Sequence, residues 1–497
     1  MYDLVVLGGG AGGLGVAIGA AKLGARVALI EKGRLGGECT HSACVPSKAL
    51  IRAASLAHEI RHADTFGVSV GAPEVDFPAV MARVRSVVAR FAGSDTGDGL
   101  RAKGVEVFRG SPRFESYDTV LVEGQEPIES RRFVIATGSR PAIPAIQGLV
   151  EAGFLDNRTI WGLEELPESL VIIGGGPVAL EFGQAFARLG SEVTILSRST
   201  HLLPREDPEV SEFVKAALIA EGITVHTSAQ VNGVAVRDGR KVCDFRNQAD
   251  GSLGQAVGTQ LLVATGRLAN VAGLNLDAVG IHAEPEHGIE VDDYLQTRTR
   301  NIYAVGDVLG RHQYTHAAGR EAAVVVHNAM ILQSRRMDYS TMPRVTFIDP
   351  EVATVGTLDP EEAGNAHGEA STYRVAFQDA DRPIIDGRTG GFAKVLATPS
   401  GKILGATVAG PEAAAILQEF VLAMVNHLGL DEIAAAVHPY PTYSAIAVSL
   451  ATQHTAARRE GGFFRSAIRL LHGYDADTPP RRREPATPAA VAQHDGH

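Results

Sequence analysis

Thiols are scarce in this chain, with three cysteines among 497 residues, at positions 39, 44 and 243. So few exclude a disulfide-stapled secreted scaffold, and a metal site would need further ligands at usable spacing, so no metal is expected. Positive charge is short as well. Lys and Arg number 46 against 57 Asp and Glu, a net charge of −11, which argues against a nucleic-acid partner because phosphate binding is mainly electrostatic. No uncharged apolar run reaches the ~18 residues that a spanning helix needs. The opening MYDLVVLGGG begins a strand directly, with no basic stretch or cleavage site, so no signal peptide is expected. These shortages together point to the cytoplasm, where a lasting disulfide is usually catalytic.

Glycine, by contrast, is plentiful: 55 residues, about 11% against a usual ~7%, which suits a fold with several tight phosphate loops. The length calls for about three domains, since single cores stop growing at roughly 250–300 residues. Asp3–Leu7 is a short Val- and Leu-rich run and predicts a buried parallel strand. It leads into a G-x-G-x-x-G at Gly8, Gly10 and Gly13, where backbone N–H groups at a helix N-terminus can approach a pyrophosphate. Ala25–Ile30 predicts the next strand. It ends in Glu31, 23 residues beyond Gly8, where a carboxylate can accept from a ribose 2′-OH.

Leu170–Ile173 opens a second such unit, with Gly174, Gly176 and Ala179 as a G-x-G-x-x-A whose small last residue allows close helix–strand contact. Two units in one chain predict two bound dinucleotides. After the strand Val193–Leu196 the expected acid is missing and Ser197-Arg198-Ser199 stand instead. Without a carboxylate to repel a 2′-phosphate, and with Arg198 able to pair with one, NADPH is preferred over NADH. The competing reading of Arg198 is a solvated loop charge.

Just after the first unit, Leu35–Leu50 reads LGGECTHSACVPSKAL, with Cys39 and Cys44 before a helical run that carries Pro46, Ser47 and Lys48. If Thr40–Val45 is helical, the two sulfurs can meet after a small adjustment. A disulfide needs Cα atoms about 4.4–6.8 Å apart, so the bridge is allowed but constrained, and constraint favours a bond that opens and closes. Two buried free thiols, or half of a metal site, are the competing readings. In these surroundings the segment resembles the redox-active disulfide of the FAD-dependent pyridine nucleotide-disulfide oxidoreductases. That family includes dihydrolipoamide dehydrogenase, glutathione reductase and mercuric reductase, and Cys-Val-Pro-Ser-Lys is most similar to the last of these.

The resemblance covers residues 2 to about 455 and implies an α/β fold: two Rossmann-like dinucleotide-binding domains and a C-terminal α+β dimerisation domain. It places an FAD domain at 1–150 with a helical excursion at 51–101, an NAD(P) domain at 151–270, a return to the FAD domain at 271–342, and the dimerisation domain at 343–457. By the same resemblance FAD is held by Gly8, Gly10, Gly13, Glu31 and Lys48, by Thr137 and Gly138 of an Ala-Thr-Gly crossing point, by Gly306 and Asp307, and by Ala317. Gly174, Gly176, Ala179, Ser197, Arg198 and Gly266 hold the nicotinamide nucleotide. Cys44 is then the thiol nearer the flavin, Cys39 the outer thiol that attacks substrate, and Lys48, paired with Glu181, tunes the flavin. A homodimer is implied, with the far end of the last domain reaching the partner's active site.

The chain departs from this pattern near its end. Disulfide reductases of the family carry His-x-x-x-x-Glu there, but this segment reads His438-Pro439-Tyr440-Pro441-Thr442-Tyr443-Ser444-Ala445, with Tyr440 and Ala445 at the two positions. A phenol with pKa near ~10 is a poor base at neutral pH but can donate a proton; His438 is the other candidate. Mercuric reductases place a tyrosine here but end in a vicinal Cys-Cys, which this C-terminus lacks. The expected function is transfer of electrons from NADPH, with NADH the lesser donor, through FAD to Cys39–Cys44, and on to a small-molecule disulfide or metal–thiol acceptor. The alternatives are an NADPH–quinone or diaphorase-type reductase, a mercuric reductase using only the inner pair, and a non-catalytic redox-sensing flavoprotein. Residues 458–474 predict a basic amphipathic helix, docked on its own domain or, as the rival reading, lying on a membrane surface. Residues 475–497 predict a disordered tail.

Overall fold

A computed structural model describes residues 1–93, 95–460 and 470–471. Most of the expected amphipathic helix at 458–474, and the whole tail at 475–497, lie outside the described residues.

Strand β1 (Leu4–Leu7) is buried at every position, as a parallel strand covered on both faces must be. The first glycine loop joins it to α1 (Ala11–Lys22), and β2 (Val27–Glu31) follows. Helices α2 (Gly37–His41), α3 (Cys44–Arg61) and α4 (Phe77–Ala92) form an excursion before β3 (Val105–Arg109) and β4 (Phe133–Ile135) resume the sheet. The chain leaves through β5 (Ser139–Pro141). It then repeats the plan as β6 (Ser169–Ile173), α5 (Pro177–Leu189), β7 (Glu192–Leu196), α6 (Pro208–Ala220), β8 (Thr224–His226) and β9 (Gln260–Val263). On the way back β10 (Arg267–Ala269) pairs antiparallel with β5, and β11 (Ile302–Ala304) rejoins the first sheet beside β4.

The first sheet runs β11-β4-β1-β2-β3 and the second β8-β7-β6-β9, with every pairing parallel. In each, strand order reverses beside the founding strand, β1 or β6, and the glycine loop leaves there, at the carboxyl edge where open α/β sheets bind ligands. The two crossings differ by one methyl. A Cβ on Gly13 would lie 1.9 Å from the Gly8 carbonyl oxygen, so β1 and α1 touch backbone to backbone. The matching position in the second unit is Ala179, whose side chain is fully buried.

Helix α7 (Thr315–Met330) packs along α1. A third, antiparallel sheet follows: β12 (Arg344–Thr346), β13 (Glu351–Gly356), β14 (Ser371–Ala376), β15 (Phe392–Ala397) and β16 (Ile403–Gly410), in the order β12-β13-β16-β15-β14. The central strand β16 is buried along its whole length. Helices α8 (Ala413–Val425), α9 (Leu430–Ala435) and α10 (Ala445–Glu460) bury Phe420, Leu430 and Leu450 respectively in the same core. Among the described residues no helix is long and apolar enough to cross a membrane.

One expectation is corrected. The stretch Thr40–Val45 is not one helix, because α2 stops at His41 and α3 starts at Cys44. In a continuous helix the ring of Pro46 would clash with the carbonyl of residue 42, four positions back; restarting at Cys44 puts the proline in the first turn, where its missing N–H costs nothing. Cys243 lies in the strand Arg240–Asn247 with its side chain fully buried. Burial, and then the neighbouring Asp244 charge, push its thiol up to about 12, and a buried thiol of that kind is inert.

Candidate active site

The break before Pro46 shapes the site. It leaves the Ser42 carbonyl without a helical partner, and two side chains take it: Trp161 donates from Nε1 at 3.0 Å and Asn157 from Nδ2 at 3.4 Å. Cys39 therefore sits on a five-residue helix, too short to hold itself, while Cys44 opens the 18-residue α3. Both thiols are half-buried and free.

Helix α7 points its N-terminus at them. Tyr314 precedes that helix without capping it through its side chain, and the Thr315 hydroxyl lies 3.4 Å from the Cys44 sulfur. A helix start stabilises negative charge. The hydrogen bond from Cys39 lowers the Cys44 thiol to about 6, Thr315 and Lys48 assisting against burial. Cys39 is pushed well above the ordinary range by that same hydrogen bond and then by burial. The pair is built to carry one negative charge, on Cys44.

One turn along α3, Lys48 Nζ lies 2.7 Å from Glu181 Oε2 on α5, and over the Phe347 ring at 4.5 Å. The other oxygen of Glu181 accepts from the Phe347 backbone N–H at 2.9 Å. The lysine is thus fixed by one residue from the second sheet unit and one from the start of the third.

The cofactor residues fit a dinucleotide. No side chain caps α1 or α5, whose N-caps are Gly10 and Gly176, so their first-turn N–H groups face outward for a pyrophosphate. A Cβ on Gly176 would meet nothing within 4 Å, and one on Gly10 only Gly37 Cα at 3.9 Å. Glu31 accepts from the backbone N–H groups of Gly9 at 2.6 Å and Gly33 at 2.5 Å, which shapes the loop and leaves lone pairs on both oxygens. A cleft of about 490 Å³, lined by Gly33, Arg34, His41 and Arg109, opens beside it. Gly138 and Gly266 both have positive φ with open space at their Cα atoms. Thr137 is tied to Asn270 through its hydroxyl at 2.8 Å and its carbonyl at 3.0 Å. The Gly306-Asp307 turn is pinned by the buried Glu321, which accepts from Gly306 N–H and from the Tyr339 hydroxyl, both at 2.6 Å. Ala317 is fully buried two residues into α7.

In the second unit Ser197 stands where Glu31 stands in the first, and it is buried under the loop, against Gly175. Arg198 beside it is exposed and makes no ion pair among the described residues.

Within the chain, neither His438 nor Tyr440 bonds to the cysteine pair. Both ring nitrogens of His438 face acceptors, Glu419 Oε1 at 2.9 Å and the Ala436 carbonyl at 3.0 Å, so both are engaged within its own chain. Tyr440 is 78% exposed, and the neighbouring Asp381 charge raises its hydroxyl above the ordinary value.

Several site residues escape a reading of the sequence. Glu38, next to Cys39, is gripped by Arg158 and Arg267, and Arg267 also approaches Asp307 at 3.4 Å. Thr315, Asn157 and Trp161 belong with them. Each is far from the cysteines in sequence; the one local signal was an acid directly before Cys39.

Residues 2–322 match the family model described as pyridine nucleotide-disulphide oxidoreductase, and residues 342–450 match that family's dimerisation domain. The chain is 36% identical to a mercuric reductase of Streptomyces lividans, over 91% of this chain and 96% of the relative. It is 32% identical to a dihydrolipoyl dehydrogenase of Chlamydia muridarum, over 90% and 95%. Among solved structures, the HOCl-induced flavoprotein disulfide reductase RclA from Escherichia coli superposes with a TM-score of 0.80 at 25% identity, over 91% of this chain and 99% of that one.

Proposed function

The chain belongs to the pyridine nucleotide-disulphide oxidoreductase family, an FAD- and NAD(P)H-dependent group of enzymes, and on that premise we propose that it carries electrons from NADPH to a small disulfide or thiol-bound metal acceptor through Cys39 and Cys44. The single observation that carries this reading is the Cys44 sulfur, flanked by Cys39, held at 3.4 Å from the Thr315 hydroxyl at the start of α7.

When bound, FAD supplies the two-electron link between the nicotinamide hydride and the cysteine disulfide. The hydride delivers two electrons and one proton to the pair: the S–S bond breaks, Cys39 keeps the proton and Cys44 the charge. Lys48, braced by Glu181, sets a positive charge beside Cys44. On a disulfide acceptor, Cys39 gives up its proton and its sulfur displaces one thiolate, forming a mixed disulfide. Cys44 then attacks Cys39 and releases the second thiolate. Restoring both product thiols takes the Cys39 proton and one proton from solvent, so the sum is NADPH, H⁺ and disulfide giving NADP⁺ and two thiols.

Tyr440 is the group proposed to hand a proton to the leaving thiolate, since the nitrogens of His438 are engaged. It would do so across a homodimer, which the dimerisation-domain match supports. The exposed Arg198, with no acid at Ser197, supports NADPH over NADH. The domain division at 150, 270, 342 and 457 is proposed on the same footing, supported by the separation of the three largest sheets and the β5–β10 ribbon between the first two. Relatives named mercuric reductase and a neighbour named disulfide reductase support the acceptor class.

The test is an anaerobic titration of the purified yellow protein with NADPH. A long-wavelength band after two electrons, followed by its loss when a disulfide or Hg(II)–thiol complex is added, supports the proposal. Bleaching of the flavin without such a band, with dye reduction surviving loss of both cysteines, overturns it in favour of a quinone-type reductase.

A further inference from the structure

A nicotinamide nucleotide has to reach between two places in this fold. One is the second glycine loop, where its pyrophosphate meets the uncapped N-terminus of α5; the other is the start of α7, where Thr315 faces Cys44. The turn at 203–206 is tied to both neighbourhoods. At one end the Leu203 N–H donates to the Gly175 carbonyl at 2.8 Å, and the Leu202 side chain would lie 3.5 Å from a Cβ on Gly175. The Glu206 N–H closes the turn onto the Leu203 carbonyl at 2.9 Å, with Leu203 at a φ of +48°. At the other end Arg344, the first residue of β12, donates to the Arg205 carbonyl at 3.3 Å and pairs with Glu206 at 3.0 Å. The residue before it, Pro343, offers its carbonyl to His316 in the first turn of α7, at 2.9 Å.

Arg205 is the residue this turn presents. Its side chain is exposed and makes no ion pair among the described residues. The other cations nearby are engaged: Arg344 by Glu206, and Arg311 by the Tyr339 ring at 4.9 Å, with the buried Glu321 acting on it. The Arg205 charge is felt by Tyr314 and His312, which lead into α7. His312 in turn is faced by Arg311, Arg205, Arg344 and His316, all cationic or neutral groups, in a chain whose net charge is −11. A guanidinium without an acid, on a turn anchored to a phosphate loop, is a ready donor to phosphate oxygens. We infer that Arg205 is a second anchor for the pyrophosphate of the nicotinamide nucleotide, adding a charge-assisted hydrogen bond to those of the α5 N-terminus. Arg344 is then the positioning residue that holds the turn in place. The assignment separates two arginines by what they read: Arg198 the 2′-phosphate that only NADPH carries, Arg205 the pyrophosphate that NADPH and NADH share.

This rests on the reading that a nicotinamide nucleotide sits on the second glycine loop. The FAD-loaded wild-type protein, Arg205→Ala, Arg205→Lys and Arg198→Ala are each titrated with NADP⁺ and with NAD⁺ by calorimetry, and inorganic pyrophosphate is then titrated as a competitor of bound NADP⁺. Arg205→Ala should weaken both nucleotides by the same factor, about tenfold, as expected for one hydrogen bond between charged groups. Pyrophosphate should lose affinity for that variant by a similar factor. Arg205→Lys, which keeps the charge, should recover part of the loss for all three probes. Arg198→Ala should weaken NADP⁺ alone and leave NAD⁺ and pyrophosphate as they are in the wild-type protein. A loss in Arg205→Ala confined to NADP⁺ would assign Arg205 to the 2′-phosphate and overturn the inference. Unchanged affinities in Arg205→Ala overturn it as well, and so do equal losses in Arg205→Ala and Arg205→Lys, which would mean that the turn and not its charge matters. None of these three results touches the nucleotide reading itself. A wild-type protein that binds neither NADP⁺ nor NAD⁺ overturns that reading and this inference together.

Discussion

At Cys44 two atoms of context do most of the work: a hydrogen bond from Cys39 and the Thr315 hydroxyl. Because its thiol is lowered to about 6, the charged form is present above that pH and is lost below it. The thiolate band of the two-electron-reduced protein should therefore grow as pH rises through about 6, which a spectrophotometric pH titration checks; a midpoint at the usual thiol value of roughly 8.5 refutes the account. Cys44→Ser should keep its flavin yet lose disulfide-dependent NADPH oxidation. Full turnover in that variant would remove Cys44 from the chemistry. Arg198→Ala should raise the KM for NADPH by about tenfold, on the order of 1.4 kcal/mol, and leave that for NADH unchanged, in steady-state assays with either donor. The residue scale is also where the sequence was easiest to read, since Cys39, Cys44, Lys48 and Glu31 announce themselves by type and spacing. Thr315 does not, because nothing local marks which of many threonines a fold will bring to a thiol.

Elements carry the next tier of constraint. Gly13→Ala should abolish FAD retention, because the new methyl would overlap the Gly8 carbonyl where β1 meets α1; flavin absorbance after gel filtration reads this directly. The second unit already carries a methyl at Ala179 and needs no such closeness. Helix α5 is tied down by Arg188, which is almost fully buried and bonds Glu221 through two nitrogens at 2.7 Å and Asp349 at 3.1 Å. Arg188→Ala strands a partly buried carboxylate and should cost about 3 kcal/mol, seen as a lower urea midpoint, with Asp349 still held by Arg388. Strand and helix positions were legible in the sequence wherever a buried run or a glycine loop marked them. The break between α2 and α3 was not, although its cause, Pro46, was in plain sight. Its consequence depends on Trp161 and Asn157 being there to take the freed carbonyl.

For the whole molecule, the third sheet and its helices leave Leu422, Val425 and Val437 exposed. Apolar area of that kind suits a second copy, in keeping with the dimerisation-domain match. Leu422→Asp combined with Val437→Asp should shift the protein toward monomer in light scattering and lower acceptor turnover more than flavin reduction by NADPH. That split follows from the proposed path, in which nicotinamide and Cys44 belong to one chain and Tyr440 serves the partner's site.

The sequence by itself determined the chemistry-bearing inventory: two glycine loops, one acid at the end of the first unit and none in the second, a cysteine pair, and Tyr440 near the end of the last domain. These are local patterns, set by turn sterics and residue type, and they survive in one dimension. Only the tertiary structure decided which side chains stand around the cysteine pair and what holds the short helix of the outer thiol. Those depend on Thr315 and Lys48 at the sulfurs and on the grip of Arg158 and Arg267 on Glu38, and Coulomb interactions act across space whatever the separation along the chain.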